Sequence, residues 1–332
     1  MKNIRPLLFL SVFLLISLFI SLLLGGTRIP VSDLLHALIE PEGKGNIYVI
    51  FWEIRMPRVI LGLLVGAGLG VAGGTLQGML RNPLAEPYTL GVSGGAALGA
   101  TLGSMLSGAN LLGGFLLPLC AFMGALVSSA CVYFIASRRR FSITTLVLGG
   151  IVMNLFISSL ILLIFALSQR ERVLGMLLWL MGDLSAAERG ITASVAVLVL
   201  VGVAVLFGLS RDLNLLTLGE EKATYLGVHV ETIHRVIFIL SSFITGACVS
   251  ASGLIGFVGL IIPHMVRWLT GPDHRVLLPG CFLCGGGFLI LCDALARSIV
   301  APIELPVGVV TGVLGGGFFL FNLVKGDRWE AF

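Results

Sequence analysis

Apolar and polar stretches alternate along this chain on the length scale of a lipid bilayer. Ten predominantly apolar runs can be drawn, at 7–24, 58–80, 89–106, 112–137, 143–168, 191–209, 236–252, 254–269, 276–299 and 306–324. About 20 apolar residues make a helix that crosses the hydrocarbon core, and fewer suffice where neighbours bury it. The pattern therefore predicts an all-α, polytopic membrane protein of ten transmembrane helices, with the whole chain, 1–332, as a single domain. Three polar stretches stand out. Residues 25–56 are expected to lie outside, with a short helix at 32–39. Residues 169–189 lie outside as well, as a helix at the mouth of the bundle. Residues 210–235 lie inside.

Within the spans the glycines are periodic. Gly62, Gly66, Gly70, Gly74 and Gly78 recur every four residues, as do Gly91, Gly95, Gly99 and Gly103, and then Gly308, Gly312 and Gly316. That spacing puts each set on one helix face, where missing side chains let backbones approach closely. Between the second and third spans, Arg81-Asn82-Pro83-Leu84-Ala85-Glu86-Pro87 cannot continue a helix, because two prolines four apart force a turn.

Composition agrees with a bundle and leaves little chain for anything else: 57% of residues are hydrophobic, 11% are charged, and the mean hydropathy is +1.06. Lys2 and Arg5 precede an apolar run too long for a signal peptide, which reads as a retained first span with a cytoplasmic N-terminus. Ten spans then return the C-terminus to the same side. This map places 13 Lys/Arg inside and 8 outside, the sign that the positive-inside rule requires. The outside set includes Arg55, Arg58 and Arg297. No basic run exceeds Arg138-Arg139-Arg140, so nucleic acid is not an expected partner.

The chemistry of an enzyme is missing. Gly43-Lys44-Gly45 is a loop fragment and not a phosphate-binding loop, and the five histidines have no ligand spacing. Cys281-x-x-Cys284 has redox or zinc spacing but lies in an apolar run without a second pair, and reads as small packing residues. No cofactor and no metal site are expected. Asp293 and Arg297 stand four apart on one helix face and can neutralise each other.

The longest inner polar stretch carries a different signal. Gly219-Glu220-Glu221-Lys222-Ala223-Thr224-Tyr225-Leu226-Gly227 predicts a two-turn helix with carboxylates in its first turn and a glycine at its C-terminal cap. A helix this short does not stand alone in water. Either it is an ordinary loop element, or a separate protein docks on it.

A resemblance favours the second reading. Arg55-Met56-Pro57-Arg58, Asn82-Pro83-Leu84-Ala85-Glu86-Pro87, Leu90-Gly91-Val92-Ser93-Gly94-Gly95, Leu218-Gly219-Glu220, Leu226-Gly227, the run from Gly253 to His264, Asp273-His274-Arg275 and Glu304-Leu305-Pro306-Val307-Gly308 resemble the FecCD-type permeases, in order and across nearly the whole chain. These are membrane subunits of type II ABC importers for iron–siderophores, haem and vitamin B12. The resemblance implies a homodimer in a bacterial or archaeal inner membrane, two cytoplasmic ATP-binding subunits and an extracytoplasmic substrate-binding protein. It places coupling helices at 213–229, with Leu215, Leu218, Gly219, Glu220, Glu221, Ala223, Leu226 and Gly227 facing the ATPase. It makes Arg55, Arg58 and Arg297 docking points for the binding protein. Asn82 and Leu84, with Ser142, Ile143 and Thr144, match an inner gate. Ser93, Asn154, Ser158 and Ser159 are candidate pathway residues, each with the plainer alternative of a hydroxyl or amide bonded to a neighbouring helix. The alternative function is an ion-coupled secondary transporter without ATPase subunits, disfavoured by the scarcity of acids near the midplane.

Overall fold

The computed structural model describes residues 4–25, 30, 45–106, 113–139 and 141–325. Among them the chain forms thirteen α-helices: α1 (Ile4–Leu23), α2 (Asn46–Leu80), α3 (Val92–Leu106), α4 (Leu116–Ser137), α5 (Ile143–Leu167), α6 (Arg170–Leu180), α7 (Arg189–Gly208), α8 (Ser210–Leu216), α9 (Glu220–Tyr225), α10 (Val230–Ser252), α11 (Val258–Thr270), α12 (His274–Ser298) and α13 (Val307–Lys325). Seven of these are long and apolar enough to cross a membrane, and α3, α11 and α13 are shorter apolar helices. Together they are the ten helices read from the hydropathy pattern. The helix expected at 32–39 lies outside the described residues.

Two boundaries differ from the sequence reading. The second span starts at Asn46, twelve residues before Arg58, because Phe51 is fully buried against Leu22, Leu23 and Met56 and draws the preceding chain onto the bundle. A π-helical turn over Ile50–Arg55 leads into Pro57. The seventh span starts at Val230 and not at 236. Its first turns are amphipathic: Glu231 pairs with Arg235 on the exposed side while His234 turns inward.

The core is centred on α2, which packs against α12, α10, α11 and α7. Its glycine periodicity explains the tightest contact. Gly66 and Gly70 sit against the carbonyls of Gly285 and Cys281, Gly74 against the Leu278 and Cys281 side chains, and Gly78 against the His274 ring. All lie on α12, which runs antiparallel to α2. The second set repeats the device: Gly95, Gly99 and Gly103 of α3 close on Gly124 and Cys120 of α4. The third set does not. Gly308 touches the Met181 and Leu254 carbonyls, but Gly312 meets nothing, and Gly315, outside the four-residue series, takes the contact with Phe257. The Gly312 face of α13 is left open because, among the described residues, nothing lies against it.

Two of the three shorter apolar helices, α3 and α11, begin inside the bundle. Pro87 packs on Gly259, level with Leu69 of α2, so the turn after Leu80 re-enters the bundle before α3 starts. Within α11, Pro263 cannot donate to the Gly259 carbonyl. That carbonyl points at Gly73 of α2, and only a residue without Cβ leaves it room.

Gly73→Ala is therefore expected to lower the thermal unfolding temperature of the purified protein, since overpacking a tight core costs about 1–3 kcal/mol. Gly208→Ala, at the end of α7 where an added Cβ meets nothing within 4 Å, should leave it unchanged. Equal melting of the two variants would show that the close approach of α2 and α11 is not required.

Candidate functional site

Three groups of residues stand apart from plain packing. The first is the α8–α9 segment at one end of the bundle. Glycines bracket α9: Gly219 at φ +110° precedes it and Gly227 at φ +88° follows. The Gly227 N–H donates to the Thr224 carbonyl and the Val228 N–H to the Ala223 carbonyl, the paired bonds of a Schellman cap. Ala223 and Val228, which close that cap, are buried, as are Leu213 and Leu216 of α8. Leu215 packs partly against the same core. The opposite face is bare: Leu218, Tyr225 and Leu226 are 55%, 82% and 57% exposed, beside exposed Glu220 and Glu221. The predicted helix exists, and it is anchored on one side only.

Asn214 ties this segment to the start of α12. Its amide Nδ2 donates to Asp273 Oδ1 at 2.7 Å, while its Oδ1 lies 2.9 Å from the His274 backbone N–H and 2.8 Å from His274 Nδ1. Asp273 also accepts the Arg275 N–H and so caps α12. Burial pushes the Asp273 carboxyl up, but the bonds from the Arg275 N–H and the Asn214 amide outweigh it and hold the group below the usual carboxylate range. Asn214 did not announce itself in the sequence. Asp273 before a helix is a legible cap, but the asparagine 59 residues earlier has no local pattern.

The second group surrounds the re-entrant turn. Asn82 is exposed, its Oδ1 accepting the Leu84 N–H at 2.9 Å, and Leu84 is 54% exposed. Ser142 precedes α5 and is exposed with Thr144, while Ile143 packs partly on the core. The pathway candidates divide. Asn154 accepts the Gly94 N–H and donates to the Tyr88 carbonyl, and the Ser93 hydroxyl also bonds the Tyr88 carbonyl. These two brace the start of α3. Ser159 bonds back to the Leu155 carbonyl of its own helix. Ser158 stays exposed on α5. Two residues outside the expected set fasten the turn from the other side. Glu86 accepts the Phe257 N–H at the start of α11, and the Tyr88 hydroxyl both donates to the Ile255 carbonyl and accepts the Ile255 N–H.

The third group lies at the opposite end. Arg55, Arg58 and Arg297 are 3%, 6% and 4% exposed, so none of them presents an open guanidinium. Arg58 binds Asp293 at 2.9 Å and Glu304 at 2.7 Å. Arg297 binds the second oxygen of Asp293 at 2.9 Å, as the i,i+4 spacing predicted, and the Ser21 hydroxyl at 3.0 Å. Arg55 donates to the Leu22 and Leu23 carbonyls. The last carbonyls of a helix have no partner within it, and Arg55 and Arg297 supply partners to the end of α1. Charges this deep are tolerated only when paired. The cluster still exposes one member, Glu304, whose side chain is 44% exposed.

Comparison with known proteins fits this architecture. The sequence matches the FecCD transport family over residues 13–325. It is 40% identical to the uncharacterized ABC transporter permease protein YvrB of Bacillus subtilis (strain 168), over 95% of this chain and 92% of that one. It is 38% identical to the vitamin B12 import system permease protein BtuC of Escherichia coli O139:H28, over 98% and 97% of the two chains. A solved structure of a metal-chelate type ABC transporter in an inward-facing conformation superposes with a TM-score of 0.84 at 31% identity, covering 97% of this chain and 99% of that one. Ten apolar helices, the glycine-packed pair α2–α12 and a match that runs almost end to end lead to one conclusion: the chain is a multi-pass membrane protein that belongs to the FecCD transport family of ABC transporter permeases.

Proposed function

We propose that this chain is the membrane-spanning subunit of a binding-protein-dependent ABC importer that carries a metal chelate into the cytoplasm. The chelate is of the iron–siderophore, haem or vitamin B12 kind, and the relatives named for vitamin B12 import support that class. Energy comes from separate ATP-binding subunits. One observation carries this reading: the exposed Leu218, Tyr225 and Leu226 beside Glu220 and Glu221, on a helix whose other face is anchored in the bundle. An exposed apolar patch with a charged rim fits a protein partner.

The remaining assignments follow from that placement. The α8–α9 end faces the cytoplasm with both chain termini, and the ion cluster faces the extracytoplasmic binding protein. Two copies of the chain pair through the faces left bare, on α5 and on the Gly312 side of α13, and the chelate passes between them along Ser158. Asn82 and Leu84, with Ser142, Ile143 and Thr144, form the inner gate.

The docking role of Arg55, Arg58 and Arg297 takes a modified form. Three arginines against two carboxylates leave the cluster with one net positive charge, and that field, not an open guanidinium, attracts an acidic partner. Glu304, the exposed acid, opposes the approach.

Two measurements test the reading. Replacing Leu218, Tyr225 and Leu226 together with aspartate should abolish co-purification of the ATP-binding subunits while the permease still folds. Undiminished co-purification would sink the coupling assignment. Glu304→Gln should tighten binding of the substrate-binding protein by about two- to fivefold, more at low salt. Unchanged or weaker binding at every ionic strength would remove the cluster from the docking surface.

A further inference from the structure

Asn214 makes three hydrogen bonds, all to the first residues of α12 or their cap. Their polarity is fixed. Asp273 can only accept, so the Asn214 amide nitrogen faces it, and the amide oxygen faces His274. That oxygen can only accept, so His274 carries its proton on Nδ1. The bonds thus define one geometry for the side chain, and a rotated amide would set oxygen against oxygen.

The residues on either side of this joint do not yield. Leu213 and Leu216, flanking Asn214 on α8, are at most 1% exposed. The His274 ring lies against Gly78 of α2, where even a Cβ would overlap it. From there α12 continues against α2 across Gly74, Gly70 and Gly66 to Gly62, whose nearest atoms on α12 belong to Ile290. Three residues further on, Asp293 binds Arg58 of α2. His274 and Asp293 are 19 residues apart on one helix, about 28 Å at the α-helical rise. Both ends of the α2–α12 pair are therefore held by polar groups, with glycine-tight packing between them.

We propose that Asn214 is the joint through which movement of the α8–α9 segment is delivered to the α2–α12 pair, and thence to the ion cluster at the other end. It is a positioning residue that touches neither transported substrate nor nucleotide. The proposal deepens the function given above and rests on its central point, that an ATP-driven partner docks on the bare face of α9. A partner pushing there moves α8, because α8 and α9 share a three-residue connection and a common buried anchor. Without directional bonds at Asn214, α8 could slide over the end of α12. With them, α12 must follow.

The test uses the permease assembled with its own ATP-binding subunits in proteoliposomes, with the binding protein supplied. Asn214→Asp sets two carboxylates face to face and removes the donor. Assembly and the unfolding temperature should hold, whereas binding-protein stimulation of ATP hydrolysis and uptake should fall about tenfold or more, as a broken, partly buried hydrogen bond to a charged group allows. The second variant combines Asn214→Asp with Asp273→Ser. In the parent one atom, Asp273 Oδ1, accepts both the Asn214 amide and the Arg275 N–H. Position 214 then accepts from His274 as before, and the single hydroxyl at 273 donates to it while its oxygen still caps α12. Uptake and stimulation should return to within about threefold of the parent. A merely structural contact would show its loss in melting and assembly, and not in coupling alone. Wild-type coupling in Asn214→Asp, or a double variant no better than the single one, would overturn the joint. If the unaltered permease does not assemble with the ATP-binding subunits, the docking reading itself falls, and the joint with it.

Discussion

A helix that ends inside apolar surroundings leaves backbone groups that water cannot reach, and each orphaned group there costs several kcal/mol. Most of the polar side chains described above answer that one constraint. Asn154 reaches from α5 to the Gly94 N–H at the start of α3. Glu86 reaches the Phe257 N–H at the start of α11, placing a carboxylate where the helix dipole favours it. Arg55 and Arg297 cover the last carbonyls of α1, and Asp273 caps α12. In each case except the last the partner comes from a different element. Closing the helix ends therefore also fixes how the helices sit relative to one another.

The glycine faces supply what these bonds do not. Lipid tails are as apolar as the side chains, so burial alone does little to bring two membrane helices together, and close backbone contact has to do it. The α2–α12 and α3–α4 pairs achieve this along most of their length. The result is a core whose interior is set by shape and whose ends are set by hydrogen bonds and ion pairs.

That division explains how far the sequence could be read. Periodicity is local, so the ten helices, the faces of Gly62–Gly78 and Gly95–Gly103, the Asp293–Arg297 pair and the two-turn helix closed at Gly227 were all legible from spacing. Polar groups that satisfy a distant helix end are not local. Arg58 lies 235 positions from Asp293, Tyr88 lies 167 from Ile255, and Asn214 lies 59 from Asp273. The burial of Arg55 and Arg297 is not local either, because the α1 carbonyls they meet lie 33 and 276 positions away. Gly312 misled for a different reason. A glycine face predicts close packing, but nothing in a single chain says whether the neighbour belongs to that chain.

The helix α10 shows where such a core can give. It packs against α2 on one side and α4 on the other, and so lies between the two glycine-packed pairs. Among the described residues, the buried hydroxyls of Ser241, Ser242 and Thr245 on α10, of Ser129 on α4 and of Thr192 on α7 have no hydrogen-bond partner. A buried polar group left unpaired is destabilising, and three of these five sit on α10, which contacts both pairs. An interface held by shape, with hydroxyls free to exchange partners, resists displacement less than one pinned by directional bonds. The polar bonds at Asn214 and Asp293 fix α12 to its neighbours at both ends, whereas α10 has few such constraints along its middle. The directional bonds are therefore concentrated at the ends of the α2–α12 pair, while α10 meets both pairs mainly through shape.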